Sequence, residues 1–91
     1  MRPKATETTK VYFFYSDYCP HCNKVKPLVD AVASKLNLMY CSMDEELSGE
    51  CYRLAEENGV YAVPTLIVYE GENKTVLVGE DEVENFLKSL S

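Results

Sequence analysis

The chain has 91 residues, room for one compact domain with a single modest core and no second domain. Fifteen acidic residues against nine basic ones leave a net charge of −6, which argues against the basic patch of a nucleic-acid or anionic-membrane surface. No apolar run approaches the ~20 residues of a membrane-spanning helix.

Residues 1–9 are polar and charged, without the apolar stretch of a signal peptide. They are expected to form a flexible tail, with the domain covering 10–91 and a cytoplasmic location. Val11 to Tyr15 is an apolar, aromatic run that reads as a buried strand. Directly after it comes Tyr18-Cys19-Pro20-His21-Cys22, and then a helical pattern with Val25, Leu28, Val29, Val32 and Leu36 on one face. Asn37 is placed to end that helix, and Leu38 to Met43 reads as a second strand. Leu47-Ser48 opens a second helix, with Ser48 as N-cap and Leu47 stapled to Tyr52. Leu54 and Ala55 continue its buried side, and Asn58-Gly59 supplies a left-handed stop. Thr65 to Tyr69 is a third strand, Glu70 to Asn73 a turn, and Thr75 to Val78 a fourth strand paired with the third. The last helix carries Val83, Phe86, Leu87 and Leu90 on one face. Its acids Asp81 and Glu82 lie in the first turn and Lys88 in the last, as the helix dipole favours. The order β-α-β-α-β-β-α predicts an α/β fold. Its first two strands should be parallel, within a mixed four-stranded sheet covered by helices on both faces.

The chemistry sits where the first strand hands over to the first helix. Two thiols three residues apart at a helix start can close a reversible disulfide, and the free N–H groups and dipole there favour a thiolate. Cys19 is the expected attacking sulfur and Cys22, one turn on and facing inward, the resolving thiol. Pro20 fits the first helical position, where its missing N–H is not needed. His21 can place a positive charge and an N–H donor near the Cys19 sulfur. Stabilising the thiolate stabilises the reduced dithiol and makes the disulfide a stronger oxidant. His21 also reads, more plainly, as a solvent-exposed loop residue. A structural disulfide or half of a zinc site is the bland alternative for Cys19 and Cys22. A four-cysteine zinc site would need Cys41 and Cys51, which lack a second Cys-x-x-Cys knuckle, so no metal is expected. Cys41 and Cys51 read as small core residues dispensable for exchange, with a disulfide between them the lesser alternative. The acidic run Glu80 to Glu84 reads as a helix start and a solvated face.

This order, with Cys19-x-x-Cys22 opening the first helix, resembles the thioredoxin-like superfamily in its minimal, glutaredoxin-sized form. Val63-Pro64-Thr65 before the third strand is similar to that family's cis-proline loop. Pro27, five residues after Cys22, matches its helix-kinking proline, and Gly59 ends a helix where thioredoxins often carry glycine. The resemblance covers Val11 to Leu90. It implies that Pro64 is cis and holds the Val63 N–H and C=O beside Cys19, open to an extended substrate strand. Tyr18, Tyr61 and Ala62 would rim that groove. There are departures. Cys-Pro-His-Cys resembles the DsbA-type oxidases rather than the Cys-Gly-Pro-Cys of thioredoxins. Phe13 stands where many thioredoxins place a buried acid. Only Gly79 and Asp81 stand where glutaredoxins show Gly-Gly followed by Asp.

The resemblance implies a monomeric thiol–disulfide oxidoreductase acting on protein disulfides through Cys19 and Cys22, with no cofactor beyond the dithiol. Its reductant would be a thioredoxin-reductase-type protein or a small thiol. Two alternatives stay open: a glutaredoxin using glutathione as co-substrate, and a non-enzymatic binding module whose dithiol switches docking.

Overall fold

The computed structural model describes residues 9–90. Seven elements follow in the expected order: β1 (Thr9–Tyr15), α1 (Pro20–Val32), β2 (Leu38–Ser42), α2 (Gly49–Asn58), β3 (Thr65–Glu70), β4 (Asn73–Val78) and α3 (Glu80–Ser89). The expected tail lies outside the described residues except for Thr9, which is already the first residue of β1. The strands form one sheet in the order β2-β1-β3-β4, with β1 parallel to β2 and the other two pairings antiparallel.

The unbroken apolar runs in β1 and β3 have a simple cause: both strands are central, and helices cover both of their faces. Val11 and Phe13 of β1, with Leu66 and Val68 of β3, face one way. There they pack on Val25, Val29 and Val32 of α1 and Val83 and Leu87 of α3. Tyr12, Phe14 and Ile67 point to the opposite face and meet Cys41 of β2 and Leu54 of α2. The alternation along each strand therefore assigns each side chain to one of two thin cores.

Several boundaries differ from expectation. Leu36 keeps the helical period and packs against the first core, but α1 ends at Val32. Leu36 N–H bonds to Val32 O and Leu38 N–H to Ala33 O, and Asn37 takes a left-handed φ of 52° that turns the chain into β2. Ser48 is the N-cap of α2, yet its hydroxyl makes no capping bond, and Gly49 enters the helix at a φ of 59°. Leu47 packs into the second core while Tyr52 stays exposed, so the expected staple is replaced by burial of Leu47 alone. Gly59 ends α2 as expected, in the left-handed conformation with its N–H on the Ala55 and Glu56 carbonyls. The β3–β4 hairpin closes tighter than expected. Glu70 pairs with Asn73, leaving only Gly71 and Glu72 in the turn.

The main correction concerns Cys41 and Cys51, which form a disulfide across ten residues. Phe14 pairs with Cys41, so Cys41 points to the α2 face. Cys51, in the first turn of α2, lies above it with a Cα–Cα distance of 5.6 Å, within disulfide reach. The link makes structural sense, because α2 contributes a single fully buried side chain, Leu54. Its other ties to the sheet include the Tyr12 hydroxyl donating to Glu50 at 2.9 Å and the Lys10–Glu50 pair at 3.5 Å.

Replacing both Cys41 and Cys51 by alanine should lower unfolding free energy by about 2–4 kcal/mol, the usual loss for a disulfide closing a short loop. Urea denaturation of the oxidised protein and the double variant measures it. An unchanged midpoint would mean that the link does not hold α2 in place.

Candidate active site

All four strands bring an end to one edge of the molecule. The C-terminal end of β1 lies beside the N-terminal end of β3 through the Phe14–Thr65 pairing. Thr65 pairs in turn with Val78 at the end of β4, and Tyr15 pairs with Ser42 at the end of β2. The segments leaving or entering these ends are the Cys19 loop, the Pro64 loop, the start of α3 and the loop around Asp44.

Cys19 is the N-cap of α1, in extended conformation, with Pro20 as the first helical residue. Its sulfur is half-buried and accepts the Cys22 backbone N–H at 3.2 Å. This is one of the otherwise unpaired donors of the first turn, and it favours charge on that sulfur. Cys22 is 1% exposed, and both thiols are free. Burial, and after it the hydrogen bond with Cys19, pushes the Cys22 thiol up to about 12. The two cysteines are thus chemically unequal: one accessible beside a helix N-terminus, the other buried and held as a thiol at neutral pH.

The Val63–Pro64 peptide is cis, and the Val63 carbonyl lies 3.8 Å from the Cys19 sulfur. Pro64 is fully buried, while Val63 and Ala62 are half-buried; Thr65 braces the turn by donating its hydroxyl to Ala62 O at 2.7 Å. Tyr18 and Tyr61 are 87% and 84% exposed. A cleft of about 510 Å³ opens between His21, Val63 and Pro64 on one side and Val78, Gly79, Glu80, Asp81 and Glu82 on the other. Tyr61 and Ala62 line a separate, smaller cleft of about 180 Å³ against Val76 and Val78.

His21 departs from expectation. Its ring does not supply the hydrogen bond at the Cys19 sulfur; that comes from the Cys22 backbone. Ring Nδ1 instead meets Glu80 Oε1 at 2.7 Å. Phe13, in the place of a buried acid, is wholly enclosed in the first core. Two site residues escaped the sequence reading. Glu80 looked like part of a solvated helix start. Asp44 accepts the Ser16 hydroxyl at 2.6 Å and the Asp17 N–H at 2.8 Å, and Ser16 O accepts the Cys19 N–H at 3.2 Å. Those two bonds, Ser16 first, hold the Asp44 carboxyl below its usual range and brace the loop that carries Cys19. No local signal marks either acid, since each acts on residues far away in sequence.

Among the described residues, no group of three or more His, Cys, Asp or Glu side chains is placed to share a metal ion. Nor is any helix there long and apolar enough to cross a membrane.

Comparison with known proteins agrees with the fold. A family profile described as thioredoxin matches residues 4–91. The mitochondrial thioredoxin-2 of Schizosaccharomyces pombe is 25% identical over 79 residues, 85% of this chain and 57% of that protein. The chain therefore spans little more than half the length of that curated relative. Among solved structures, the thioredoxin of Malassezia sympodialis is similar with a TM-score of 0.67 at 21% identity, over 94% of this chain and 76% of that one. Oxidised thioredoxin O2 of Arabidopsis thaliana gives a TM-score of 0.63 at 27% identity over the same shares.

The inequality of the two thiols predicts a labelling pattern. With Cys41–Cys51 intact, iodoacetamide at pH 7–8 should modify Cys19 alone. Cys22 should react only after unfolding or in strong alkali, since its thiol is buried and held protonated. Peptide mass mapping reads the result; equal labelling of both would contradict the burial of Cys22.

Proposed function

The chain belongs to the thioredoxin family, and on that premise we propose that it is a thiol–disulfide oxidoreductase exchanging electrons with protein disulfides through Cys19 and Cys22. The observation that carries this reading is the accessible Cys19 sulfur. It lies 3.2 Å from the Cys22 N–H and 3.8 Å from the carbonyl of the cis-proline loop.

In this reading a substrate strand lies along Val63, pairing with its backbone and bringing a disulfide to Cys19. The Cys19 thiolate attacks one substrate sulfur. The substrate S–S bond breaks, a mixed disulfide forms, and the first substrate thiolate leaves and takes up a proton. Cys22 then loses its proton, attacks the Cys19 sulfur and expels the second substrate thiolate, which is protonated in turn. The substrate gains two electrons and two protons, and the protein ends with a Cys19–Cys22 disulfide. With Phe13 where an acid could have stood, the departing substrate thiolate is the base at hand for the Cys22 proton. The high affinity of Cys22 for its proton favours keeping it a thiol until the mixed disulfide forms. An external dithiol of the reductase type, or a small thiol, returns the pair to the reduced state. In this reading the Cys19–Cys22 dithiol carries both electrons without a further cofactor, and a monomer suffices for every step.

Protein disulfides are preferred over glutathione because of the far wall of the cleft. Two backbone donors there are already committed: Gly79 N–H to Pro64 O at 2.9 Å, and Val78 N–H to the Glu82 carboxylate at 3.0 Å. Glu80, Asp81 and Glu82 add negative charge facing any anionic thiol. A cytoplasmic location belongs to the same proposal, although the Schizosaccharomyces pombe relative is a mitochondrial thioredoxin.

The reduced protein should accelerate reduction of insulin by dithiothreitol, and a Cys19→Ser variant should fall to the uncatalysed rate. Cys22→Ser should accumulate covalent substrate complexes on non-reducing gels. Trapping by Cys19→Ser instead of Cys22→Ser would reverse the two roles, and absence of turnover in the wild type would leave only a binding module.

A further inference from the structure

The contact between His21 and Glu80 joins the first turns of α1 and α3, two helices that also share apolar side chains in the first core. His21 lies in the first turn of α1 and is 67% exposed; Glu80 opens α3 and is 23% exposed. Glu80 is held in place from two directions. The preceding residue, Gly79, donates its N–H to the carbonyl of Pro64, and its own carbonyl accepts the Val83 N–H at 3.1 Å to start the helix. Val83 and Leu87 pack in the same core as Val25 and Val29 of α1. The carboxylate is thereby presented to His21 by a backbone segment that is hydrogen-bonded to the Pro64 loop. Its neighbours differ: Glu82 is bonded to the Val78 N–H, and Asp81 faces the cleft.

We propose that Glu80 is a positioning residue that sets the reduction potential of the Cys19–Cys22 pair through His21, holding it lower than a Pro-His dipeptide without that carboxylate would give. The proposal rests on the exchange reaction above, since it concerns the redox balance of the same two sulfurs. The Cys19 thiolate exists only in the reduced protein. An imidazole N–H turned toward the sulfur would stabilise that thiolate and so favour the reduced form. The Glu80 carboxylate, bonded to Nδ1 at 2.7 Å, holds the ring toward α3 and withholds that donor from the sulfur. Removing the carboxylate frees the imidazole to favour the thiolate, and the disulfide becomes the stronger oxidant.

The test is equilibration of the full chain with reduced and oxidised glutathione at pH 7, with the Cys19–Cys22 state read by peptide mass mapping. Glu80→Gln keeps the shape and removes the charge. It should shift the equilibrium about two- to fivefold toward the dithiol, the size of exposed ion-pair couplings. The same substitution in a His21→Ala background should shift it by less than half as much. Asp81→Asn, which removes an equal charge from the same rim without touching His21, should also give less than half. No shift with Glu80→Gln, a shift toward the disulfide, or an equal shift in the His21→Ala background would overturn the proposal. So would an Asp81→Asn effect as large as that of Glu80→Gln. If Cys19 and Cys22 form no disulfide in any buffer, the exchange reaction fails with it; closure without dependence on Glu80 overturns the role of Glu80 alone.

Discussion

The antiparallel pairing of β1 with β3 is the constraint on which the site depends. Phe14 opposite Thr65 sets the end of one strand beside the start of the other, so the residues just beyond each must be neighbours. Cys19 follows β1 by four residues and Pro64 immediately precedes β3. A register slip of one residue would turn Leu66 and Val68 out of the first core as well as separating the sulfur from the Val63 carbonyl. Packing energy and site geometry are therefore held by the same ladder. The pairings of Thr65 with Val78 and of Tyr15 with Ser42 extend that edge to the start of α3 and to Asp44.

On this frame the two thiols differ because of depth. Cys19, as N-cap, has a backbone donor and access to solvent; Cys22, one turn later, points into the interior and keeps its proton. An accessible nucleophile beside a buried reserve thiol suits a two-step exchange in which the second sulfur acts only after the first has reacted. The Cys41–Cys51 disulfide belongs to the opposite face of the sheet. It secures α2, the helix whose end at Gly59 leads into the residues around Pro64.

What the sequence revealed follows the range of each interaction. The runs in β1 and β3 announced buried central strands, Gly59 announced the end of α2, and Cys19-Pro20 announced a helix start, because all of these are local. Leu36 misled because its side chain keeps a helical face although the backbone has already left the helix at Val32; Asn37, not periodicity, decides the turn. Cys41 and Cys51 each look like core residues, and only the stacking of α2 over β2 brings them together. The pairing of His21 with Glu80 spans 59 residues and needs the α1–α3 packing to exist at all. Ser48 carries the composition of a cap without making its bond, a case where the left-handed entry at Gly49 overrides local preference.

On the proposed function, Cys19 and Cys22 form one reversible two-electron couple while Cys41–Cys51 is structural. The direct measurement is a redox titration of the native protein with all four cysteines mapped by differential alkylation at each potential. A single transition with the two-electron slope is expected, confined to Cys19 and Cys22, with Cys41–Cys51 unchanged across it. A transition carried by Cys41 and Cys51 while Cys19 and Cys22 remain free thiols would contradict it.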